Sequence, residues 1–71
     1  MSVDLADSVE ELAEELRGVA AVRLSSVNVT VVDGGVIVEC TTQPEGDHAV
    51  MMATGRFAGR HNVVVGVYLK R

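Results

Sequence analysis

One cysteine, one proline, one phenylalanine, one tyrosine and no tryptophan occur in these 71 residues. Each scarcity closes off a class of protein. A single thiol, Cys40, leaves the chain without an intramolecular disulfide and fits a reducing compartment. An aromatic content of 3% offers almost no π surface for stacking bases or sugars. The formal charge of −4 opposes general binding to a phosphate backbone, so nucleic acid is not an expected partner. No apolar run approaches the ~20 residues of a membrane-spanning helix. No basic leader followed by an apolar stretch precedes Asp4, so the expected location is cytoplasmic. Without export, the acceptor-like Asn28-Val29-Thr30 carries no glycan.

Catalytic and metal-binding patterns are equally sparse. Cys40, His48 and His61 stand as Cys-x7-His-x12-His, which fits no structural zinc spacing and lacks a fourth ligand. A Cys–His nucleophilic pair needs an exposed thiolate within reach of an imidazole, whereas strand parity puts Cys40 on a core face. His48 falls at the start of a helix and His61 in a loop. The seven glycines build neither a Gly-x-x-x-x-Gly-Lys nor a Gly-x-Gly-x-x-Gly phosphate cradle. The expectation is therefore a non-enzymatic chain without metal or cofactor.

What is present is valine. Hydrophobic residues make up 48% of the chain, and a valine-rich, aromatic-poor composition suits a sheet covered by short helices. A chain of this length forms one domain and buries only ~60% of its unfolded surface. Helix 4–17 follows from Leu5, Val9, Leu12 and Leu16, which share one stripe at about 100° per residue, with Ala6 and Ala13 beside it. Asp4, Asp7, Glu10, Glu11, Glu14 and Glu15 take the opposite face, and Gly18 is placed to end the helix.

From Ser26 the apolar period becomes two. Strands 26–32 and 36–42 flank Asp33-Gly34, the strongest short-range hairpin signal. A two-residue turn sets Val31 opposite Val36, Val29 opposite Val38 and Val27 opposite Cys40, all on one apolar face. A three-residue turn would bring Glu39 among the valines and is rejected. After a loop containing Pro44, Asp47 is the expected N-cap of helix 47–58. Val50, Ala53 and Phe57 form its inward stripe with Ala49 alongside, and Gly59 stops it. Strand 62–70 closes the chain, apolar on both faces, as a buried strand or a covered edge would be. The result is a single α+β domain of order α-β-β-α-β, a three-stranded mixed sheet with both helices on one face.

The helix, the run Val27-Asn28-Val29-Thr30-Val31-Val32, the hairpin Asp33-Gly34-Gly35-Val36-Ile37-Val38-Glu39-Cys40, and the final helix and valine-rich strand together resemble the BON domain, a small bacterial module. The chain differs where that family tends to carry a glycine, at Cys40-Thr41-Thr42, and a Pro-Gly-Val turn, at Gly59-Arg60-His61-Asn62. The resemblance implies contact with phospholipid or protein subunits. Ring-building modules of bacterial secretion systems share the same element order and assemble side by side.

Three surfaces are left for function. The sheet face away from the helices carries Val32, Ile37, Val64 and Tyr68. Met51 and Met52 lie off the core stripe of the second helix, where methionine suits adaptable protein contacts. Charge is polarised along the chain: six of ten acids precede Gly18, and no acid follows Asp47. Glu10, Glu11, Glu14 and Glu15 thus mark an acidic end, and Arg56, Arg60, Lys70 and Arg71 a basic one. Such a chain is expected to act as a protein-interaction or self-assembly module, joining head to tail through complementary charge. The alternatives are a BON-like contact of the basic residues with anionic phospholipid and a minor, KH-like contact with RNA.

Overall fold

A computed structural model describes residues 5–71; Asp4, the first residue assigned to the opening helix and its acidic face, lies outside the described residues. Helix α1 spans Leu5–Arg17 and buries Leu12, Ala13 and Leu16. Strands β1 (Asn28–Val32) and β2 (Gly35–Thr41) form the hairpin, helix α2 runs Asp47–His61, and β3 covers Val64–Lys70. The sheet order is β1-β2-β3, with β1 antiparallel and β3 parallel to the central β2. The fold is the expected α+β arrangement with a mixed three-stranded sheet. Helix α1 lies over β1 and α2 over β3.

The hairpin register is the two-residue one. Val31 pairs with Val36, Val29 with Val38, and Val32 with Gly35 across the turn. Gly34 takes φ +84, a backbone shape that side chains with a Cβ resist. Val36, Val38 and Cys40 are buried and meet Leu12, Leu16, Val22, Val50, Ala53 and Phe57 in the core. Parallel pairing sets Val65, Val67 and Leu69 beside Val36, Val38 and Cys40, extending the same face.

Several boundaries differ from the sequence expectation, each for a local reason. The first strand begins at Asn28 because Leu24–Ser26 turns as a short 3-10 helix. Ser26 Oγ donates to the Arg23 carbonyl (2.6 Å) and accepts the Thr41 N–H (2.8 Å), doing with a side chain what a ladder carbonyl would do. The second strand runs Gly35–Thr41 rather than 36–42. Thr42, expected to end that strand, falls just outside it, buried and in an isolated bridge with Val22. Gly18 donates to the Glu14 and Glu15 carbonyls without the positive φ of a left-handed cap.

Helix α2 passes through Gly59 and ends at His61, so His61 is helical and not in a loop. Its ring packs on Phe57 at 4.5 Å between centroids, which holds the final turn. The stop is Asn62 at φ 55, one of the few residues with a Cβ that tolerates the left-handed region; β3 therefore starts at Val64, not 62. At the other end Asp47 is the first helical residue instead of the N-cap, which is Gly46. Ala49 is exposed and Thr54 takes the buried place near Val50. The final strand is an uncapped edge, with Val64 75% and Tyr68 57% exposed.

Candidate functional site

Parity along three strands assembles the face opposite the helices. Its rows read across the sheet as Val32, Gly35, Val64; then Thr30, Ile37, Gly66; then Asn28, Glu39, Tyr68; and last Thr41 with Lys70. The face is thus graded, apolar beside the hairpin turn and polar at the far end. Val32, Ile37, Val64 and Tyr68 come together here, with Ile37 half-buried and the other three exposed.

Two glycines shape the apolar half. A Cβ on Gly35 would collide with the Val64 carbonyl, so glycine is what lets β3 start this close to the turn. Gly66 leaves the middle row without a side chain beside Ile37. The outcome is an open depression of about 380 Å3 lined by Val32, Ile37, Val64, Gly35 and Gly66 together with the turn. Fully covering an exposed valine-sized side chain is worth ~1.5–3 kcal/mol. A partner seated here gains several such contributions before the cost of ordering it.

The charged candidates are distributed differently. Arg56 on α2 forms an ion pair with Glu15 on α1, and Glu10 lies 3.6 Å from Arg17 within α1. Arg71 holds Asp47 with two bonds, 2.9 and 2.7 Å, and also donates to the Thr42 carbonyl at 3.1 Å. That fork pulls the Asp47 carboxyl below the usual range and raises the Arg71 guanidinium, the hydrogen bond being the larger cause in each. Two of the four basic candidates are therefore engaged with acids of the same chain. Arg60 and Lys70 are exposed and have no ion pair among the described residues. Glu11 and Glu14 are exposed on α1, and Met51 and Met52 are 52% and 48% exposed on α2.

Compared with protein-family models, curated proteins and solved structures, the chain matches none.

Other cavities offer less. A wider depression of about 530 Å3 lies at the opposite end, lined by Ala20, Arg23, Thr42, Gln43, Glu45 and Arg71 among others, but Arg71 is committed to Asp47 and Thr42. Between the helices, Ser8, Glu11, Glu15, Arg56, Arg60 and His61 line a crevice of only about 30 Å3. Cys40 is buried, and burial, with Asp47 nearby, raises its thiol above the ordinary value. No group of three or more His, Cys, Asp or Glu is placed to hold a metal among the described residues. None of their helices is long and apolar enough to cross a membrane.

Parity alone identified the open face. It did not reveal the depression, because that depends on β3 lying beside β2 so that Gly35 and Gly66 adjoin Ile37.

Proposed function

We propose that the chain is a non-enzymatic contact module whose working surface is the open sheet face, where a protein partner adds the missing layer. The observation that carries this is the asymmetry of the sheet. One face is closed by two helices, while the other keeps Val32, Ile37 and Val64 around a depression floored by Gly35 and Gly66, with Tyr68 exposed farther along the same face. Sheets are stable when each apolar face packs on another layer, and clustered exposed apolar residues mark interaction surfaces.

The anionic-lipid reading has weaker support. Arg56 and Arg71 are paired internally, and the cations that remain are divided among separate elements of a chain of net charge −4.

A photo-crosslinking residue placed at Val32 or Ile37 in the native host tests the assignment. Discrete protein adducts at both sites, and none at Glu14 or Ser25, are expected. Adducts no stronger than at those control sites would reject the open face as a protein-docking surface. Sedimentation with anionic but not neutral vesicles would favour the lipid contact instead.

A further inference from the structure

Strand edges usually carry a device against pairing with other chains: a proline, a bulge, an inward charge or very short length. Val64–Lys70 has none of these. It pairs residue for residue with β2 without a slip, and its only charge is Lys70, at its end. The Thr42 N–H donates to the Lys70 carbonyl at 2.9 Å, which sets the phase of the ladder. In parallel pairing that phase turns the peptide groups of Val64, Gly66, Tyr68 and Lys70 toward β2. The peptide groups of Val65, Val67 and Leu69 consequently face outward, where no further strand lies among the described residues.

We infer that a second copy of this chain occupies this edge, its β3 antiparallel to the first about a two-fold axis at Val67. The register selects itself. Val67 exchanges both hydrogen bonds with its counterpart, and Val65 does so with the partner's Leu69. Under the helices, Val29, Val38 and Val67 continue into the partner's Val67, Val38 and Val29 as one row. On the open face Gly66 falls opposite the partner's Tyr68 in a non-hydrogen-bonded pair, where side chains approach most closely. Glycine then supplies the space and tyrosine the cover. Moving the axis to Gly66 would set glycine against glycine and shorten the overlap. The two Lys70 side chains lie at opposite ends, so like charges stay apart.

Helix α2 carries a second, independent sign. Its Arg56 and Arg60 line the crevice facing α1, so at about 100° per residue Met51 and Ala58 lie on the other flank, toward the β3 edge. Met51 is 52% exposed there, where the partner's α2 would arrive. The other edge strand, β1, is a poorer candidate, with only Asn28–Val32 in its ladder. Closing on β3 covers Gly66 with the partner's Tyr68 but leaves Val32 and Ile37 of the open face uncovered, and it makes that face continuous across two copies. Loss of this dimer is therefore distinguishable from loss of docking on that face.

Two single-cysteine additions test the register. Gly66→Cys and Tyr68→Cys protein, mixed and oxidised, should give a disulfide-linked dimer. Each alone should not, because like positions lie beyond the ~7 Å Cα separation that a disulfide spans. The mixed dimer retains one native Gly66–Tyr68 pair. By sedimentation velocity, the wild-type mass should rise from 7.5 kDa toward twice that value with concentration. Val67→Pro, which removes an outward N–H at an edge position that tolerates proline, should remain monomeric with an unchanged far-UV spectrum. Should that variant not fold, Met51→Glu should weaken the dimer at least tenfold, while Val32→Glu on the open face leaves it intact. A wild-type chain that stays monomeric to millimolar concentration overturns the inference. So do cross-linking that is as strong in each variant alone and growth into open-ended polymers.

Discussion

Arg71 grips Asp47 with both guanidinium arms while one arm also reaches the Thr42 carbonyl. The last residue of the chain thereby ties the end of β3 to the first turn of α2 and the end of β2. The pair is exposed, so solvent screens it, yet its geometry is the bidentate one that limits motion best. Arg71→Ala should speed amide exchange at Asp47–Val50 and at Thr42 more than elsewhere, with a modest fall in melting temperature. The pH dependence follows from the lowered Asp47 carboxyl. A carboxyl whose folded pKa lies below its unfolded value stabilises the fold above the unfolded pKa of about 4. That stability is lost as pH falls through the folded value. Wild type and Asp47→Asn should therefore differ most near neutrality and converge in acid, as read by urea melts across pH.

Adjacent turn glycines should respond differently to the same substitution. Gly34 needs a left-handed backbone but has nothing within 4 Å of a added Cβ, so Gly34→Ala should cost ~1–2 kcal/mol of conformational strain. Gly35 has no such backbone requirement, yet its Cβ would drive into the Val64 backbone. Backbone cannot step aside as a flexible side chain does, so Gly35→Ala should be the more damaging variant. Ranking the urea midpoints of the two variants checks this; the reverse order would mean that β3 can shift away from the turn.

How much of this was legible in the sequence depended on the range of the determining contact. The Asp33-Gly34 register was readable because its signal, alternating valines around a turn pair, is local. The end of α2 was not, since Gly59 looks like a stop but has open space around it. The helix is held for another turn by the Phe57–His61 contact and stopped by Asn62. Asp47 reads as a cap until Arg71, 24 residues away, is folded against it. Polarised charge along the chain gave no sign that Glu15 and Arg56 meet within one chain across 41 residues. Facing along a strand obeys a period of two; which strand lies next to which does not.

Leu16 is 0% exposed at the centre of the α1 stripe. Truncation to alanine leaves both lost transfer energy and a cavity, together ~2–5 kcal/mol. Small domains sit toward the low end of the ~5–15 kcal/mol range of native stability. Leu16→Ala should consequently leave a substantial unfolded population in buffer alone, seen as a sloping native baseline in urea. Val64→Ser, at a side chain 75% exposed, should stay within about 0.5 kcal/mol of wild type. That contrast matters for function, because open-face variants are then clean probes of docking.

Cys40 offers the last prediction. It is buried beside the core valines, and burial, assisted by the Asp47 charge, holds its thiol above the ordinary value. Thiolate is the reactive form, so an aromatic disulfide reagent at pH 8 should label Cys40 only through unfolding. Labelling should be slow in buffer and immediate in denaturant; rapid labelling of the folded chain would show that the β2 core face is open to solvent. The same shift has an alkaline consequence. A group whose folded pKa is raised contributes stability that is complete below its unfolded pKa and is lost as pH climbs through the folded one. Cys40→Ser removes that titration but buries a hydroxyl, at a cost of ~1–3 kcal/mol near neutrality. The gap in urea midpoint between wild type and Cys40→Ser should narrow as pH rises above about 9, and a constant gap would mean that the thiol titrates alike in folded and unfolded chains.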